Sequence, residues 1–81
     1  MAGLMKELVE DIVRALVDHP ENVVVSVTEG SRCTTLEVTV HPSDVGKVIG
    51  REGRMVNAIR SLLGSIGMKQ DKRYLLHILE N

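Results

Sequence analysis

The stretch Asp44–Leu63, DVGKVIGREGRMVNAIRSLL, sets Gly50 and Gly53 three residues apart inside an otherwise helical pattern, with Arg51 and Glu52 between them. Gly50 falls where a short helix has to stop, because glycine takes a left-handed conformation without a Cβ clash. Gly53 falls just ahead of a second helix, where a missing side chain lets another backbone approach. The free N–H groups and positive dipole end of that helix favour an anion, and a phosphate suits such a position. Lys47, Arg51 and Arg54 surround the turn with cations. Glu52, the acid among them, has to point away from any anion held there. Four residues alone are a weak signal, since a tight turn between two helices with solvated charges uses the same letters. Their context is what adds specificity.

Working outward, Ser43 after Pro42 is a candidate N-cap for a first short helix that reaches Ile49. A second helix is expected from about Arg54 to Ile66, with Val56, Ile59, Leu63 and Ile66 at helical spacing. Gly64 and Gly67 weaken its end, so GMKQDK reads as a connector, and RYLLHILE closes the chain as a strand with Tyr74, Leu76 and Ile78 inward. Upstream, Val23, Val25 and Val27 alternate with Val24, Ser26 and Thr28, and Leu36, Val38 and Val40 alternate with Thr35, Glu37 and Thr39. These are two strands joined by a hairpin at Gly30-Ser31, aliphatic on one face and polar on the other. Leu4–Val17 is an amphipathic helix that ends before Pro20. Its apolar arc is wide enough for a second contact, either in the core or with a partner chain.

The order is therefore helix, strand, strand, helix, helix, strand. A helical crossover between strands two and three makes those two parallel. The expected fold is α+β: a three-stranded mixed sheet with three helices on one face, as one domain over residues 1–81.

Apolar residues make up 43% and charged residues 26%, as in a soluble globular domain, and no apolar run approaches a membrane span. The single Cys33 cannot form an internal disulfide, so a reducing, cytoplasmic setting is expected. The net charge of −1 argues for no anionic partner, but its distribution does. Residues 1–43 carry three cations against seven acids, and residues 44–81 carry seven against four. The positive half holds the glycine pair.

Val48-Ile49-Gly50-Arg51-Glu52-Gly53-Arg54-Met55-Val56-Asn57-Ala58-Ile59 reads V-I-G-x-x-G-x-x-V-x-x-I between two helices after a hairpin. This resembles the KH domain signature, and the αββααβ order looks like the type II KH fold of prokaryotes. With one KH unit at this length, the chain is similar to the small bacterial KhpA family of RNA-binding proteins. The resemblance implies a G-x-x-G loop that clamps the backbone of single-stranded nucleic acid, with bases in a narrow aliphatic groove. Carried over by position, Gly50, Arg51, Glu52 and Gly53 form the clamp, and Lys47 and Arg54 add phosphate contacts. One of Val48 and Ile49 lines the groove while the other packs inward. With about three cations engaged, the slope of log K against log salt would be roughly −2 on a single strand. The resemblance also implies dimerisation with itself and with a larger KH-containing partner of the KhpB type, and a role in RNA regulation linked to cell growth. Surplus apolar surface on the first helix, with Leu75 and Leu79 on the outer side of the last strand, marks candidate contacts.

Other readings fit less well. With Tyr74 and no Phe or Trp, the chain has no stacking platform of the RRM or OB type. The helix after Gly53 is too apolar for a duplex-reading recognition helix. His19, His41, His77 and Cys33 lie on separate elements without metal-ligand spacing, so neither a metal nor another cofactor is expected. His41, Ser43 and Asp44 sit too close along the chain for a catalytic triad, and no enzyme is expected. Single-stranded DNA stays open as a ligand, and so does a KH-fold protein-interaction module in which RNA binding is absent or incidental.

Overall fold

A computed structural model describes residues 2–80. Its elements are α1 (Ala2–Leu16), β1 (Val24–Glu29), β2 (Cys33–Val40), α2 (Val45–Ile49), α3 (Arg54–Gln70) and β3 (Arg73–Glu80), with single 3-10 turns at Pro20–Asn22, Pro42–Asp44 and Arg51–Gly53. The strands lie in the order β1-β2-β3. β1 pairs antiparallel with β2, with Val25 opposite Val38 and Val27 opposite Leu36. β2 pairs parallel with β3, with Leu36 opposite Leu76 and Val38 opposite Ile78. This register brings every inward aliphatic residue onto one face, as period-two alternation requires. The architecture is the expected α+β one, with the parallel pair created by the helical crossover.

One apolar cluster joins the three helices to that face. It takes Met5, Val9 and Val13 from α1, Val48 from α2, Val56, Ile59 and Leu63 from α3, and Val25, Leu36, Val38, Val40 and Leu76 from the sheet. The wide arc of α1 is thereby divided. Leu8, Ile12 and Leu16 are half-buried at the cluster's margin, and Leu4 is exposed. On the outer face of the sheet Val24, Leu75 and Leu79 stay exposed.

Two expectations are corrected. Ser43 does not cap α2. It lies inside the Pro42–Asp44 turn, where its N–H donates to His41 Nδ1 at 3.1 Å, and Asp44 takes the position ahead of α2. The second helix also does not end at Ile66 but runs on through Gly64 and Gly67 to Gln70, so most of the expected connector is helical. The reason is packing. A Cβ on Gly67 would stand 2.4 Å from the Lys72 carbonyl oxygen and 3.2 Å from the Tyr74 ring, so the missing side chain lets β3 start directly against the helix. Asp71 then ends the helix in the left-handed conformation at φ 56°, a role that glycine more often fills.

The two helical glycines should therefore respond in opposite ways. Gly64 has nothing within 4 Å of a built Cβ, so Gly64→Ala should stabilise the fold by about 1 kcal/mol through helix propensity. Gly67→Ala should destabilise it by about 1–3 kcal/mol through overpacking. Urea denaturation of the two variants checks both signs.

Candidate nucleic-acid interface

The turn between α2 and α3 owes its shape to two glycines in different conformations. Gly50 has φ 78° and ψ 171°, a region essentially closed to residues with a Cβ. Its amide donates to the Gly46 carbonyl at 2.8 Å, finishing α2. A Cβ at Gly50 would stand 2.8 Å from both the amide nitrogen and the Cβ of Met55. The close backbone approach expected at Gly53 is thus made at Gly50. Gly53 is left-handed, at φ 75° and ψ 13°, and a Cβ there would meet only Asn57 Nδ2 at 3.5 Å. The Gly53 N–H donates to the Gly50 carbonyl at 3.1 Å and closes the turn. Glu52 is itself left-handed at φ 57°, which costs a non-glycine residue roughly 1–2 kcal/mol.

Arg51, Glu52 and Arg54 are exposed on this turn, and no side chain caps the first N–H groups of α3. Among the described residues neither arginine is ion-paired. Lys47 is placed differently. Its Nζ lies 3.2 Å from Asp18 and 3.6 Å from Asp44, so its charge ties α2 to the chain leaving α1.

Val48 is fully buried in the core, and Ile49 turns toward an open cleft of about 580 Å³. The cleft wraps the free edge of β3. Ile49, Val56, Ile78 and Leu79 supply its apolar lining, and Arg60, Glu37 and His77 are its polar groups. Arg60 is fastened to that edge, with Nε and Nη2 donating to the Leu76 carbonyl at 3.3 and 3.0 Å.

Asp44 carries the most consequential charge that sequence reading passed over. It is fully buried, and its carboxylate accepts the N–H groups of Asp18 at 3.2 Å and His19 at 3.0 Å. Burial alone would raise its pKa. The two backbone donors, with the positive charge of Lys47, outweigh burial and hold the pKa below 3.8. Lys47 is shifted above 10.5, first by its hydrogen bond to Asp18. The one sequence signal for this anchor was the i,i+3 spacing of Asp44 and Lys47. Arg60, Glu37 and His77 gave none, because they come from three elements that only the sheet edge unites.

A mixed three-stranded sheet backed by three helices in αββααβ order, with a G-x-x-G turn between the second and third helices, defines a type II KH domain. Residues 6–78 match the family model described as KhpA/KhpB, KH domain. The chain belongs to that family. It is 50% identical over 74 residues to the RNA-binding protein KhpA of Borreliella burgdorferi, covering 91% of this chain and 90% of that one. It is 45% identical over 76 residues to KhpA of Listeria monocytogenes, covering 94% of this chain and all of that one. Among solved structures, Aquifex aeolicus Era bound to GDP and aluminium fluoride superposes with a TM-score of 0.66 at 16% identity, over 95% of this chain and 30% of Era. Era in complex with MgGDPNP and a segment of 16S ribosomal RNA gives 0.61 at 16% identity, over 93% of this chain and 29% of Era. At that identity the likeness is one of fold.

Asp44→Asn should lower the melting temperature at neutral pH, because an amide nitrogen would then face a backbone N–H. The folded-state pKa of Asp44 lies below its unfolded value of 3.8. Its contribution is therefore complete above that value and is lost as pH falls through the folded one. The gap in melting temperature between wild type and variant should be widest near pH 7 and shrink below pH 4, as circular dichroism melts would show.

Proposed function

We propose that the chain binds single-stranded RNA without catalysis, seating the nucleic-acid backbone on the Gly50–Gly53 turn and the bases in the cleft that begins at Ile49. The observation that carries this reading is the junction of the two. The turn presents Arg51, Arg54 and the start of α3, which no side chain caps, and the residue before Gly50 opens directly onto an apolar cleft. Phosphate and base thus have adjoining places of matching chemistry. Lys47 joins only if RNA draws it from Asp18 and Asp44. The relatives named RNA-binding proteins, two of them described above, support the choice of RNA over single-stranded DNA.

Fluorescence anisotropy with a labelled mixed-sequence single-stranded RNA at low salt tests the site. Wild type should bind, and the double variant Arg51→Asp with Glu52→Asp should lose most of that affinity while remaining folded. Equal binding by both would move the RNA to another surface. With two arginines engaged, the slope of log K against log salt should be about −1.4, and a slope near −2 would mean that Lys47 has been recruited.

One short cleft gives modest affinity, and a second subunit would raise it through effective concentration. The exposed Leu4, Val24, Leu62, Leu75 and Leu79 are candidates for contact with a second copy or with a larger KH-containing protein of the KhpB type. They also support the alternative of a KH-fold interaction module with incidental RNA binding. Size-exclusion chromatography with light scattering at high micromolar concentration should show a dimer, and a strict monomer would remove the homodimer. No helix among the described residues is long and apolar enough to cross a membrane; the cytoplasmic placement rests on the RNA-binding reading.

A further inference from the structure

We infer that Arg60 makes the cleft discriminate among nucleobases, holding guanine or cytosine in preference to adenine or uracil; this rests on the single-stranded RNA reading above. Arg60 is held in a specific way. The Leu76 carbonyl accepts from both Nε and Nη2, at 3.3 and 3.0 Å, and so occupies the side of the guanidinium. A guanidinium has five N–H donors in a planar fork. Three remain, and the end pair, one on Nη1 and one on Nη2, stays open as two parallel donors. No carboxylate pairs with Arg60 among the described residues. The fork belongs to the lining of the same cleft that Ile49 joins to the G-x-x-G turn.

A two-donor fork selects for two adjacent acceptors. Guanine offers O6 beside N7, the pairing that arginine reads bidentately in duplex DNA. In a single strand the Watson–Crick edge is open as well, and there cytosine offers O2 beside N3. Adenine places its amino donor between N1 and N7, and uracil places N3–H between its two carbonyl oxygens. Neither can satisfy both donors of the fork. Glu37 is the cleft's one carboxylate, and since adenine, guanine and cytosine all carry an exocyclic amino group for it to accept from, it disfavours uracil alone and the choice against adenine falls to the fork. The apolar lining from Ile49, Val56, Ile78 and Leu79 contacts any base and adds no preference.

Arg60 also ties α3 to β3, and a role confined to that tie would weaken every base equally. The test therefore reads a ratio. Uridine octamers with two central positions left as uracil, or replaced by guanine, cytosine or adenine, are compared by anisotropy at low salt. Wild type should bind the guanine and cytosine probes about tenfold tighter than the other two, within the range of one bidentate contact. Arg60→Lys keeps the charge without the fork, and should bring the four probes within about twofold of one another. The double variant at Arg51 and Glu52 should weaken all four by a similar factor. Replacing guanine with 7-deazaguanine removes N7 from the RNA, so it tests the fork even if Arg60→Lys fails to fold. That probe should fall toward the uridine octamer, and unchanged affinity would overturn the proposal. Equal wild-type binding to all four probes, or a preference that survives Arg60→Lys, would also overturn it. In those cases the RNA reading stands if the double variant still loses binding. Absence of wild-type binding to any probe would overturn both.

Discussion

At Gly50 the backbone stands at φ 78° and ψ 171°, with the Met55 amide nitrogen 2.8 Å from where a Cβ would be. No side chain fits that conformation or that space. The α2–α3 angle depends on this one junction, and with it the direction of Ile49 into the cleft, the burial of Val48 beneath it and the exposure of Arg51 and Arg54 above. An ordinary αL cap would end α2 equally well, but it would not bring the start of α3 so close to the end of α2. The turn is therefore a packing joint as well as a chain reversal. Its left-handed Glu52 shows that the chain carries some strain there.

The joint has a counterpart beneath it. Asp44, buried ahead of α2, accepts two backbone N–H groups from the chain leaving α1, and Lys47 reaches back to the same place. A buried carboxylate is costly unless its lone pairs are satisfied. Here two donors and a nearby ammonium do so, which is why its pKa stays low despite burial. The arrangement fixes α2 against α1 and withdraws one cation from the exposed turn. What is left is two arginines and a helix terminus, a modest field for a chain whose net charge is −1. Affinity in such a site has to come from several small contributions, and the apolar cleft is the other available one.

That cleft lies on the free edge of β3 because β3 is the last strand, parallel to β2 and paired on one side only. An open edge invites pairing with other chains. Arg60 takes up one of its carbonyls and so both blunts the edge and places a charged fork beside it. With Tyr74 as the lone aromatic, and that one buried in the core, base stacking on a ring is not available. Aliphatic contact and hydrogen bonds from the rim must do that work.

Period-two and helical alternation of aliphatic residues determined the sheet, its buried face and the three helices, because a residue's neighbours along the chain decide which face it shares. The V-I-G-x-x-G-x-x-V-x-x-I run likewise determined where the turn lies and which cations flank it. Sequence could not say that α3 continues past Gly67, since glycine reads as a breaker until the Lys72 carbonyl is seen filling the space of its missing side chain. Nor could it choose between Val48 and Ile49, which differ by one step of about 100° around a short helix whose tilt is set at Gly50. The capture of Lys47 by Asp18, the burial of Asp44 and the gathering of Arg60, Glu37 and His77 along one cleft were decided by tertiary structure. Each brings together residues from elements far apart along the chain, and beyond the i,i+3 spacing of Asp44 and Lys47 no local spacing records it.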